Sequence, residues 1–162
     1  ILMKNPLLFI LMAVTLSACP SYYFSPPQPS GRSSPARTEP AKNNFRLAAS
    51  HWSDVSKIRA EAVRLNDQVG QGRLTKVQAA QNLNRFRLKL VGANPVDDDV
   101  YESYLRSAVD SQRGEITTEQ SKKHIQSTLH GWQQRWPNMQ YKPTNPAFTN
   151  FLMEVMGMQP LR

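Results

Sequence analysis

From position 52 onward the apolar residues of this chain recur with a helical period. Val55, Ile58, Ala62, Leu65 and Val69 fall at spacings of 3, 4, 3 and 4, one stripe of an amphipathic helix. Ser50 or Ser53 can cap its start, Asp54 suits the positive N-terminal end, and Gly70 offers a left-handed exit. A second stripe, Ala79, Leu83, Phe86 and Leu90, predicts a helix that opens at Thr75 and stops at Gly92 and Pro95. A third is expected to begin among Asp97, Asp98 and Asp99, to place Tyr101, Tyr104, Leu105 and Ala108 on one face, and to end before Gly114. Ile125, Leu129, Trp132 and Trp136 mark a fourth, running from Thr117 to Pro137. A short fifth carries Phe148, Phe151, Leu152, Val155 and Met156 before Gly157, with Asn145 as its cap and Pro146 at its first position. Arg85 to Leu90 also alternates with period two, as an edge strand does. A lone strand among helices leaves its backbone unpaired, so helix is the expectation there too.

A weak repeat supports this reading. Gly72-Arg73-Leu74-Thr75-Lys76-Val77-Gln78 aligns with Gly114-Glu115-Ile116-Thr117-Thr118-Glu119-Gln120, 42 residues later. Each copy holds a helix stop, an apolar residue before the cap, and a Thr-x-x-Gln capping box. The expected fold is all-α, a small bundle of four to five short helices: two helical hairpins plus a C-terminal helix. The repeat arises either from duplication or from the common chemistry of a tight helix–helix turn.

The first residues follow another pattern. Lys4 precedes an unbroken apolar run from Leu7 to Leu16, and small residues follow. That order of basic, apolar and small segments is a secretory signal, and the run is shorter than the ~20 residues of a spanning helix. Leu16-Ser17-Ala18-Cys19 resembles the lipobox of bacterial lipoproteins, and Cys19 is the single cysteine of the chain. The resemblance covers residues 3–19. It implies S-diacylglycerol on the Cys19 sulfur, cleavage between Ala18 and Cys19, and N-acylation of the new amino group. The class also implies transport to the outer membrane, facing the periplasm, when no Asp follows the cysteine. Here Pro20 follows, an unusual residue at that place, which keeps the inner membrane open.

Residues 20–50 hold Pro20, Pro26, Pro27, Pro29, Pro35 and Pro40, half of the chain's 12 prolines, and no apolar period. Such a segment buries too little surface to offset its chain entropy, so a disordered tether is expected. Tyr22, Tyr23 and Phe24 suit the headgroup layer next to the lipid. The division is thus signal peptide 1–18, lipidated Cys19 and tether 19–50, and helical domain 51–162.

Composition narrows the chemistry. One cysteine excludes an internal disulfide framework and multi-cysteine zinc sites, and the 3 histidines form no His-x-x-x-His pair. His124 and His130 are six apart and do not share a helix face. No Gly-x-Ser-x-Gly elbow is present, and the Asp97–Asp99 run lacks the ligand spacing of a calcium loop. It reads as the acidic start of a helix. No enzymatic activity and no cofactor beyond the covalent lipid are expected.

The formal charge is +8. For an exported chain this points to anionic headgroups, lipopolysaccharide or peptidoglycan rather than nucleic acid. Arg85, Arg87 and Lys89, with Lys122 and Lys123, are the densest basic groups and the candidate anion-binding residues. The last 31 residues are rich in aromatic residues and Met, more than one helical stripe buries. Phe148, Phe151 or Leu152, and Val155 are expected to turn inward. Trp136, Phe151, Met153 and Met156 are the candidate partner-binding residues, with Met153 and Met156 nearer the edge of the buried face. The layout of lipid, tether and helical domain resembles, in architecture alone, pilotin-like lipoproteins that serve secretion, pilus or conjugation machinery. The leading expectation is an envelope lipoprotein that binds another protein; the alternative is a binder of an anionic envelope polymer or membrane surface.

Overall fold

The computed structural model describes residues 44–162. The expected signal peptide, Cys19 and positions 20–43 of the tether lie outside the described residues. Among the described residues five α-helices follow one another: α1 His51–Gly70, α2 Lys76–Val91, α3 Pro95–Gln112, α4 Thr118–Arg135 and α5 Ala147–Val155. A single 3-10 turn, Trp136–Asn138, extends α4. No strand occurs among the described residues, and Arg85 to Leu90 is helical. No helix among them is long and apolar enough to cross a membrane.

The two aligned segments of the sequence build two matching turns. In the first, Gly72 takes φ +71°, and the Arg73 N–H donates to the Gln68 carbonyl at 2.9 Å. In the second, Gly114 takes φ +71°, and the Glu115 N–H donates to the Asp110 carbonyl at 3.1 Å. Both helices that follow start with a complete capping box. The Thr75 hydroxyl accepts from the Gln78 N–H while the Gln78 side chain accepts from the Thr75 N–H, and Thr117 and Gln120 repeat the exchange. Leu74 and Ile116, just before the caps, fold onto the core as apolar staples. The turns make α1–α2 and α3–α4 hairpins, and α2 also packs on α3.

α5 closes the bundle, packing on α1 and α3 and touching α4. Val55, Ile58, Leu65, Leu83, Val96, Val100, Ile125, Leu129, Phe148, Phe151 and Met153 form one continuous core. Because α5 has neighbours on three sides, Ala147 to Met153 is buried throughout. Met153 is 0% exposed, so the sequence expectation that it sits near the edge of the buried face is wrong. A short helix with neighbours on three sides buries more than one stripe, and within α5 only Glu154 is exposed.

Two helix starts depart from the pattern-based placement. α1 does begin where expected, at His51 with Ser50 in the N-cap position, although the Ser50 side chain makes no capping bond. α3 begins two residues early, at Pro95, with the Asn94 side chain accepting from the Asp97 N–H. α5 begins at Ala147, and Asn145 does not cap it. Its cap comes from α3: the Asp97 carboxylate accepts the N–H groups of Phe148 at 3.2 Å and Thr149 at 2.9 Å. The packed domain also starts before position 51. Ala48 donates to the Thr144 carbonyl at 2.8 Å, and the Phe45 ring meets Trp136 edge-on at 5.4 Å.

Candidate functional site

Two polar clusters lie inside the bundle, and both are committed to structure. Around Asp97, the Thr149 hydroxyl (2.7 Å) and the Asn94 amide (3.0 Å) join the two α5 N–H groups as donors. Burial pushes the Asp97 carboxyl above its ordinary value, against the pull of the Thr149, Asn94 and Phe148 hydrogen bonds.

The second cluster centres on His51, which is buried. Its Nδ1 faces Asn145 Oδ1 at 2.7 Å and its Nε2 faces Asn150 Nδ2 at 2.8 Å. The amides are oriented by partners of fixed role. Asn145 Nδ2 donates to the Asp54 carboxylate, while Asn150 donates to the Leu161 carbonyl and accepts from the Leu161 N–H. His51 therefore carries its proton on Nδ1.

The candidate basic residues do not form one patch. Arg87 is 1% exposed and turns toward α3: its Nη2 pairs with Asp98 at 2.6 Å, and its Nε donates to Asn84 at 2.8 Å. As a surface anion-binding residue it is excluded by this burial. Arg85 and Lys89 remain exposed one turn apart on the outer face of α2, and Lys123 is exposed on α4. Lys122 goes elsewhere.

It lines an apolar groove. Ala62, Leu65 and Val69 of α1, Ala79 and Leu83 of α2, Ile125 of α4, Phe151, Leu152 and Val155 of α5, and Met156 just after it form its walls. Asn66, Tyr104, Lys76 and Lys122 supply its polar groups, so the lining holds two cations and no carboxylate. The cavity measures about 90 Å3. Lys76 is the first residue of α2, at its positive end, and Lys122 is the fifth of α4. The Lys76 ammonium donates to Ser111 at 2.8 Å, and burial lowers it from its ordinary value. Burial likewise pushes the Tyr104 phenol up to about 12, with Tyr101 adding to the effect, so it stays neutral.

Of the candidate partner-binding residues, the structure brings Phe151 and Met156 to this groove. Trp136 is buried, its indole donating to the Arg162 carbonyl at 2.7 Å, and Met153 lies in the core. Sequence reasoning missed Lys76. Its place in the first turn after the Thr75 cap was visible, but its presence in one groove with Lys122 depends on how the hairpins pack. No protein-family model matches the chain, and neither a curated protein nor a solved structure does.

Proposed function

We propose that this protein is a lipid-anchored envelope lipoprotein, a non-enzymatic interaction or assembly module of a secretion, pilus or conjugation type complex. Its Cys19 lipid holds it at the outer membrane with the helical domain facing the periplasm, and the groove is its docking surface. The observation that carries the interaction reading is the groove itself. It is an apolar cleft lined from all five helices, where Val69, Ala79, Val155 and Met156 are only half-buried above the core residues Leu65, Leu83 and Phe151. The Leu16-Ser17-Ala18-Cys19 lipobox supports the anchor, and two or three acyl chains, at about 0.8 kcal/mol per buried methylene, hold a protein stably on a membrane. The alternative, an anionic-polymer binder, loses support because the burial of Arg87 divides its basic patch.

The test places a photocrosslinking residue in living cells at Ala79 or Met156, which line the groove, and at Tyr141, which is exposed elsewhere. An envelope protein crosslinked from the first two positions and not from Tyr141 supports the reading; equal yields from all three remove it. In the same cells, Cys19→Ser should release the domain from membranes at high salt. Retention of that variant on the membrane removes the anchor.

A further inference from the structure

We infer that one end of the bundle, the end at which the chain enters it, rests on an anionic phospholipid surface. Trp52 and Tyr141 sit there at headgroup depth, and Arg46, Lys89 and Lys142 face lipid phosphates. This rests on the anchor reading above and adds the orientation in which the anchor holds the domain.

Topology gathers these residues. The α1–α2 and α3–α4 turns share one end of the bundle, where the Val77 N–H donates to the Gln112 side chain at 3.1 Å. The starts of α1, α3 and α5 share the other, since His51 meets Asn150 and Asp97 caps α5. At that second end, aromatic and cationic side chains touch in a continuous run. The Lys142 ammonium lies 5.5 Å from the centre of the Phe45 ring and 5.6 Å from that of Trp136. Trp136 donates to the Arg162 carbonyl, and the Arg162 guanidinium lies 5.8 Å from the centre of the Trp52 ring. Tyr141 adjoins Lys142 in the chain.

Exposure and charge separate the two ends. Trp52 is 40% exposed and Tyr141 82%, whereas the turns 71–75 and 113–117 at the far end hold no aromatic residue. Rings with a polar edge settle where headgroups meet hydrocarbon. Residues 44–50, 92–94 and 136–146, which connect elements at the near end, contain Arg46 and Lys142 and no Asp or Glu. Lys89 stands at the same end, in the last turn of α2. The carboxylates there are engaged within the fold: Asp54 with Asn145 and Lys57, Asp97 with α5, Asp98 with Arg87, and Asp99 with Trp132 and Arg135. Among the described residues no carboxylate pairs with Arg46, Lys89 or Lys142. Each Lys or Arg brought to an anionic leaflet raises partitioning about fivefold.

Attachment selects a lipid surface as the partner. Residues 20–43, between Cys19 and the domain, span at most about 80 Å, and they join it beside Phe45 and Arg46. The groove lies toward the opposite end: Val69 stands about 25 Å along α1 from Trp52. Contact through the near end therefore leaves the groove open to a partner approaching from the side away from the membrane.

The experiment reconstitutes the mature lipidated protein in vesicles that carry a nitroxide headgroup quencher. A fluorophore is attached at one of two exposed positions, Gln140→Cys at the near end or Gln71→Cys at the far end; the acylated Cys19 does not compete for the label. In phosphatidylethanolamine vesicles containing phosphatidylglycerol, the label at position 140 should be quenched about threefold more than the label at 71. That ratio should fall toward one in phosphatidylcholine vesicles, at high salt, and in the Arg46→Gln/Lys142→Gln double variant. Lys142 packs on aromatic rings, so circular dichroism melts check the double variant, and Arg46→Gln alone, at an exposed site, should lower the ratio part of the way. A ratio near one in the anionic vesicles, with the protein still floating with them, overturns the orientation and leaves the anchor standing. An unchanged ratio in phosphatidylcholine and at high salt overturns the anionic surface. A ratio near one together with sedimentation on purified peptidoglycan that needs Arg46 and Lys142 makes this end a polymer site and overturns the inference. Protein that fails to float with vesicles at high salt removes the anchor reading, and the inference with it.

Discussion

Consecutive side chains on a helix point about 100° apart, so Asp97, Asp98 and Asp99 reach three different helices. Asp97 caps α5, Asp98 neutralises Arg87 of α2, and Asp99 accepts the Trp132 indole of α4 at 2.7 Å. The costs of removing them should differ accordingly. Asp97→Ala strands two buried N–H groups and a hydroxyl and should cost about 3 kcal/mol, read as a shift in the urea midpoint. Asp99→Ala should cost nearer 1 kcal/mol, since it frees one indole at a half-open site. Asp98→Ala leaves the Arg87 guanidinium buried without its counter-charge and should cost about 2–3 kcal/mol. Arg87→Met, which removes the charge and keeps most of the volume, should cost less than Asp98→Ala. Equal losses for those two variants would mean that packing, not charge, sets the value of the pair.

At the scale of elements, what could be read from the sequence was what lies within a few residues. The stripes of α1, α2 and α4 and the Thr75–Gln78 and Thr117–Gln120 boxes are local patterns, and they stand where the spacing puts them. The start of α5 was misplaced because its cap arrives from Asp97, 51 residues earlier than Phe148. Met153 was misjudged because periodicity describes a helix with one buried face, and α5 has three neighbours. The groove was half legible: Phe151, Met156 and Lys122 were singled out, while Ala62, Ala79 and Lys76 became part of a site only through packing. The matched turns yield their own prediction. A Cβ at Gly72 or Gly114 meets nothing within 4 Å, so substitution is opposed by the φ of +71° alone. Gly72→Ala and Gly114→Ala should each lower stability by about 1 kcal/mol, and Asn at either place by less. A much larger loss at one turn would break the equivalence of the hairpins.

Across the whole molecule, the start of α1 is locked to the segment after α4. Asn145 joins His51 to Asp54, Asn150 joins His51 to Leu161, and Ala48 pairs with Thr144. Burial alone would raise the Asp54 carboxyl. Hydrogen bonds from Asn145, Ser50 and Lys57, with the Lys57 charge, outweigh it and hold the group below its ordinary value of 3.8. A carboxyl depressed in the folded state stabilises fully above that value and loses the contribution as pH falls through the folded one. Unfolding by urea should therefore become easier below about pH 4, and Asp54→Asn should flatten part of that dependence. The same lock has a consequence for biosynthesis. Partners 91 to 99 residues apart cannot meet until the later ones have left the ribosome. A nascent chain halted before residue 145 lacks the strand of contacts that closes the bundle and should be cut readily by protease, whereas one extended past residue 162 on a linker should resist. The growing polypeptide thus stays open to protease until residues 145–161 have left the ribosome, so its resistance is acquired late and in one step.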